Sequence, residues 1–320
     1  MRLPPLLVAA SCIASFACAA DDPYPVRPIR LISPFTPGGG NDLVSRSVGL
    51  AVSKSIGQSV VVDNRPGANT IVGMELVAKA APDGYTLIIT SSTQAINATL
   101  YPKLPYDSIR SFAPICLVGL SPLIIAVPPS SSIRSVAELI AAAKAKPGEL
   151  TYPSAGTGNA THLGGELFAA MAGITLTHVP YKGSGPGLID LMAGRLAVVF
   201  STALSVMPAI KSGKLRALAV TSSARSALMP ELPTVAESGL PGYEASTWYG
   251  VLAPSATPRA VVIRLNMEIV KALALPEVRE RLISQGIDPI GNTPQQFAAY
   301  VQSEIGKWAK VIKATGVKAE

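Results

Sequence analysis

From residue 29 onward, short β-branched runs alternate with stretches whose apolar residues recur at helical spacing. That alternation predicts layered α/β structure. The spacing predicts strands over 29–33, 60–62 and 85–90, with helices over 42–56, stopped by Gly57, and over 71–80. Strand–helix–strand order implies parallel sheets, in which ligands sit at the carboxyl ends of strands where loops enter helices. Two further apolar runs, 115–119 and 123–127, are interrupted by Ser121-Pro122, and this is where a crossover into a second lobe is expected. The second lobe is predicted to hold helices over 136–145, 161–171 and 188–192 and strands over 150–153, 177–179 and 198–200. The chain returns through 246–254, then forms helices over 258–273, 276–285 and 294–315, each opened by a proline suited to a first helical turn. Two crossings between lobes make a hinge with a cleft. The expected division is a signal peptide over 1–20, a discontinuous first lobe over 21–122 and 251–320, and a second lobe over 123–250.

The amino terminus changes where the protein is expected to work. One positive charge at Arg2, an apolar run through Phe16 and small residues at Ala17, Ala19 and Ala20 form the three parts of a secretory signal peptide. Export to the periplasm is therefore expected. Lipid anchoring through Cys18 ranks below it, because Ser15-Phe16-Ala17 lacks the aliphatic residue such a site prefers. Without the leader Cys116 is the only cysteine, so stability must come from burial rather than an intramolecular disulfide. Later apolar stretches are broken by Gly119 and Pro122, and none is expected to span a membrane. The chain has 27 basic and 20 acidic residues, a net charge of +7. These charges are scattered without interleaved aromatics, which argues against nucleic acid and suits a mild attraction for small anions.

The loops carry the candidate chemistry. Phe35, Thr36, Gly38, Gly39, Gly40, Asn41 and Asp42 lie between a strand and a helix. Three glycines there allow a sharp turn with exposed N–H groups, Gly39 is expected to need a glycine-only backbone, and Asn41 or Asp42 is expected to cap the helix. This reads as an anion cradle at a helix start. Neither the Gly-x-Gly-x-x-Gly of a dinucleotide site nor the Gly-Lys-Ser/Thr of a P-loop is present. A second loop, with Ser154, Gly156, Thr157, Gly158 and His162, also joins a strand to a helix. A third holds Tyr181 and Ser184, with Lys182 read as a solvated rim charge, and strand ends supply Ser91, Thr93, Ser201 and Thr202. With only His162 and His178, no cysteine pair and no Gly-x-Ser-x-Gly, neither a transition-metal site nor a serine hydrolase is supported. His162 is read as a binding or packing residue. No cofactor is called for.

Several linked motifs then carry a resemblance across essentially the whole mature chain. They are residues 34–42, Asn64-Arg65-Pro66-Gly67-Ala68, Ala80-Ala81-Pro82-Asp83-Gly84-Tyr85, His178-Val179-Pro180-Tyr181-Lys182-Gly183-Ser184, residues 232–239 and Trp248-Tyr249-Gly250-Val251. In these the sequence resembles the Bug or TctC-like proteins, periplasmic receptors of tripartite tricarboxylate transporters. The resemblance implies a type II periplasmic-binding-protein fold and a carboxylated ligand. It further implies that residues 35–42 hold a carboxylate and residues 154–162 approach from the other lobe. The implied partners are a small carboxylate and the membrane subunits of such a transporter, with the receptor itself a monomer and not an enzyme. Two departures stand out. Asn69-Thr70-Ile71-Val72-Gly73 replaces a more glycine-rich continuation, and Ser201 stands where the resemblance leads one to expect an Asp. The alternatives are a carboxylate-binding protein that serves sensing and a periplasmic enzyme.

Overall fold

The computed structural model describes residues 24–181, 183–226 and 228–319. The expected signal peptide, Cys18 and Lys182 lie outside them. The first lobe opens with strand β1 (Ile29–Ser33), helix α1 (Gly40–Ile56), β2 (Val60–Asn64), a short left-handed turn, α2 (Ile71–Ala78), β3 (Thr86–Ser91) and α3 (Thr93–Leu100). Next comes β4 (Phe112–Val127), a 16-residue strand that carries the chain into the second lobe. There α4 (Val136–Ala145), β5 (Thr151–Ser154), α5 (Ala160–Ala172), β6 (Thr177–Pro180), α6 (Ser184–Met192), β7 (Val199–Thr202), α7 (Ala203–Lys211) and β8 (Arg216–Val220) follow. The return strand β9 (Ser246–Pro254) leads to α8 (Arg259–Ala274), α9 (Pro276–Ser284), β10 (Asp288–Pro289) and α10 (Pro294–Thr315).

The expected break at Ser121-Pro122 is absent, and β4 is continuous because its two halves exchange neighbours. The amino-terminal half pairs antiparallel with β9 and β10, and the carboxyl-terminal half pairs antiparallel with β7 and β8. Pro122 is tolerated at the change of partners, where the strand needs no uninterrupted ladder. Register shifts at 114–116 and 117–119 bend the strand there. The expectation of parallel sheets holds only for β1 with β2 and β3, and for β5 with β6. Where β9 inserts between β3 and β4 the sheet becomes antiparallel, since a returning strand must run against both. Helix α3, helix α7 and strand β8 are additions that the hydrophobic pattern did not predict.

The eight-stranded sheet buries an apolar layer on each face. α1, α8 and α9 cover one face of the first lobe through Val44, Val48, Leu265, Ile269 and Leu282. α6 and α7 cover a face of the second through Leu188, Leu191 and Val206. Between these layers one apolar core continues through both lobes, from Ile32 and Met74 through Leu123 and Tyr152 to Phe168 and Trp308. No described helix is long and apolar enough to cross a membrane.

Candidate ligand-binding cleft

A cleft of about 600 Å³ opens where the amino termini of several helices meet. Phe35, Thr36, Gly38, Gly39, Gly40 and Asn41 form one side with Ser91, Ser92, Thr93 and the turn at 66–70. Ala155, Asn159, Thr161, Ser184, Thr202 and Ser205 face them from the second lobe, and Thr247 and Tyr249 from β9 complete the wall. None of the described residues in this wall carries a formal charge.

The glycine loop is built differently from the expectation. Gly39 has φ −78° and ψ 168°, ordinary extended backbone, and a Cβ there would touch only Thr36 O at 3.6 Å. Glycine is instead required at Gly38, with φ +84°, and at Gly40, where a Cβ would lie 2.6 Å from the Tyr249 hydroxyl. Helix α1 starts at Gly40 with no side-chain cap, so neither Asn41 nor Asp42 is the cap. Asn41 Oδ1 accepts from the Ser33 hydroxyl at 2.8 Å and its Nδ2 donates to Ile89 O at 3.1 Å, tying the helix to β1 and β3. Asp42 lies behind the wall, buried, and accepts from Gly38 N at 3.0 Å, Arg46 Nε at 3.0 Å and Asn64 Nδ2 at 2.9 Å. Burial alone would raise its pKa; the Arg46, Gly38 and Asn64 hydrogen bonds more than offset that and hold the carboxyl below its usual range. Asp42 therefore fixes the loop, and its acceptors are already occupied.

The second lobe also meets the cleft with a strand-to-helix loop, but here the helix is capped. Asn159 caps α5 by accepting from Thr161 N at 2.9 Å, and the Thr161 hydroxyl accepts from Ala155 N at 2.9 Å. Ser154, Gly156, Thr157, Gly158, His162, Tyr181 and Ser201 do not line the cleft. His162 Nδ1 accepts from Gly158 N at 3.1 Å, its ring stacks on His178 at 3.7 Å, and Ser154 Oγ lies 2.6 Å from His178 Nε2. Glu166 lies 3.6 Å from His162 Nε2 and accepts from Tyr152 at 2.6 Å. This partly buried cluster shapes the loop from behind, and the His162 ring packs within it. Tyr181 turns its hydroxyl to Asp190 at 2.6 Å. Ser201 is buried beside Ser154, Thr161 and Ser184 in a small niche, and its hydroxyl has no hydrogen-bond partner.

Helices α1, α3, α6 and α7 all begin at the cleft, and at each the N-cap residue makes no side-chain capping hydrogen bond, although Ser91 Oγ accepts from Thr93 N at 3.4 Å at the start of α3. Each such terminus carries partial positive charge and favours an anion by about 0.3–1 kcal/mol, and up to about 2 when partly buried. Four of them in one uncharged cleft form an electropositive, donor-rich cavity without a cation. The turn at 66–70 escaped the sequence reading. Gly67, Ala68, Asn69 and Thr70 have successive φ values of 138°, 43°, 49° and 77°, a run of left-handed backbone in which only the first residue is glycine. Each non-glycine residue held in that region costs about 1–3 kcal/mol. Asn159 and Thr161 had a readable signal, since an Asn just before an apolar-periodic run marks a helix start. Tyr249 had none, because it sits in a strand buried along its whole length.

Comparison with known proteins bears on this geometry. The family described as "Tripartite tricarboxylate transporter family receptor" (TctC) matches residues 44–317. Protein BugT of Bordetella pertussis is 40% identical over 299 residues, covering 93% of this chain and 92% of its own. Among solved structures, R. palustris Rpa4515 with adipate superposes with a TM-score of 0.83 at 37% identity, covering 92% of this chain and 99% of its own. MatC (Rpa3494) from Rhodopseudomonas palustris with bound malate gives 0.79 at 31% identity, covering 90% and 100%. The mixed sheet, the two lobes and the cleft between them are thus those of periplasmic binding proteins, and the chain belongs to the TctC family of tripartite tricarboxylate transporter receptors, the Bug proteins.

Proposed function

We propose that this protein is a periplasmic receptor that captures a small carboxylated acid between its lobes and delivers it to the membrane subunits of a tripartite tricarboxylate transporter. The observation that carries the reading is the wall of the cleft: four helix starts without an N-cap side-chain hydrogen bond, contributed by both lobes, with no charged side chain among the described residues. Such a site stabilises negative charge through fixed N–H dipoles. An ammonium group would meet no carboxylate there, which favours acids without an amino group. The adipate and malate held by two similar proteins are acids of that kind. The lobes are taken as 21–122 with 251–320 and as 123–250, a division supported by the change of partners along β4. The receptor acts as a monomer, closes on its ligand and performs no catalysis.

A thermal-shift screen followed by calorimetry tests the reading, using adipate, malate, short monocarboxylates and their amino-acid analogues. An acid present at about a hundred times its Kd stabilises the folded state by about 2.7 kcal/mol. If no acid shifts the transition, or if only the amino-acid analogues do, the ligand class is wrong. Uptake of the identified acid by cells with and without the receptor tests delivery to the transporter.

A further inference from the structure

We infer that Thr70 is a specificity-determining residue of the cleft, its hydroxyl donating to an acceptor oxygen of the bound acid. The inference rests on the reading that the cleft takes a carboxylate. Thr70 is part of the cleft wall, is almost wholly buried, and its Oγ1 has no hydrogen-bond partner in the protein. As it stands the hydroxyl is closed to the cleft as well as to water, so it reaches an arriving oxygen by rotation about χ1, and it gives up no hydrogen bond in doing so.

The ordinary reasons for a threonine at this position fail. With φ +77° the backbone is left-handed, a conformation that glycine adopts freely and a β-branched residue rarely does. Thr70 immediately precedes α2, where a threonine usually caps the helix, yet its side chain makes no capping hydrogen bond. Packing alone does not call for an oxygen that is then left unpaired. A ligand contact accounts for both the strained backbone and the orphaned hydroxyl.

The turn is also held so that it cannot relax. Asn69 Nδ2 donates to Asn97 Oδ1 at 2.8 Å, and Asn97 Nδ2 donates back to Asn69 O at 2.7 Å. Asn97 is fully buried on α3, whose first residue, Thr93, lines the same wall. This reciprocal pair ties the turn to a helix that also faces the cleft, which fixes the backbone from which the Thr70 side chain projects.

Three substitutions test the assignment, with affinity read by calorimetry against the acids that bind the wild type and stability read by thermal denaturation without ligand. Thr70→Gly relieves the left-handed strain, so it should raise Tm while weakening binding by about ten- to a hundredfold, the range for losing a hydrogen bond to a charged group. Thr70→Ser keeps the hydroxyl and should retain affinity within about threefold, well under the tenfold step expected from losing the bond. Thr70→Val removes the hydroxyl while keeping the shape, and should bind as weakly as Thr70→Gly. If Thr70→Gly is stabilised yet binds as tightly as wild type, Thr70 is only a structural residue and the assignment is wrong. Should Thr70→Val not fold, the Gly and Ser variants decide the matter between them. A wild-type protein that binds no carboxylate fails at the earlier step and overturns the ligand class together with this inference.

Discussion

The indole N–H of Trp248, on a strand that both lobes share, donates to the carboxylate of Glu304 on the C-terminal helix at 3.1 Å. The same oxygen accepts from Trp308 at 3.0 Å, and Lys307 pairs with the other. Both indoles are fully buried, and Glu304 is the acceptor that allows it. Glu304→Ala leaves two N–H groups unpaired in the core, so it should lower stability by about 2–5 kcal/mol in urea denaturation. A loss below about 1 kcal/mol would show that water replaces the carboxylate.

The three glycines of the cradle should differ sharply in tolerance. Gly39→Ala is expected to leave stability and affinity nearly unchanged, because its backbone is ordinary and its surroundings open. Gly38→Ala forces a side chain into left-handed backbone and should lose about 1–2 kcal/mol. Gly40→Val drives a side chain into the Tyr249 hydroxyl and should damage both folding and ligand binding most. Equal effects at all three positions, measured by denaturation and calorimetry, would refute this local geometry.

Acid should expose the role of Asp42. Its carboxyl is held below the ordinary range by Arg46, Gly38 N–H and Asn64, against the opposing effect of burial. A depressed carboxyl contributes stability that is fully present above the unfolded-state pKa of about 3.9 and disappears as pH falls through the lower folded-state value. The stability gap between wild type and Asp42→Asn should therefore be constant near neutral pH and shrink below about pH 4. A gap that stays constant to pH 2 would mean that the charge of Asp42 contributes nothing.

Cys116 should behave as an inert thiol. It is fully buried in the first-lobe core, and burial pushes its pKa up to about 12. Reaction with a thiol reagent at pH 8 should be undetectable in the native protein and rapid in urea. Fast native labelling would mean that this core opens readily.

The layered α/β class and the presence of two strand-to-helix loops at the cleft were legible in the sequence because each leaves a local mark: β-branched runs, helix stops, and clusters of glycine and hydroxyl residues. Other features depend on distant partners. Nothing local to 112–127 says that its halves will pair with different strands, and the Ser121-Pro122 pair reads as an end rather than a change of neighbour. His162 carried a plausible ligand-facing signal, but its ring turns inward onto His178, sixteen positions away. The turn at 66–70 was hidden for the opposite reason. Its backbone is one that glycine would have announced, and Ala68, Asn69 and Thr70 occupy it instead.

The two strands that cross between the lobes, β4 and β9, are hydrogen-bonded neighbours over most of their shared length. This ribbon is backed by the apolar core that continues through both lobes, and a paired ribbon resists shear in its own plane more than bending across its flat face. In the closure proposed above, bending of that ribbon is the coordinate along which the cleft opens and shuts. In the proposed transport role, a partner seated on the rims of both lobes would read that bend as a change in the spacing of two surfaces. Such a receptor would announce a captured molecule without exposing any part of it.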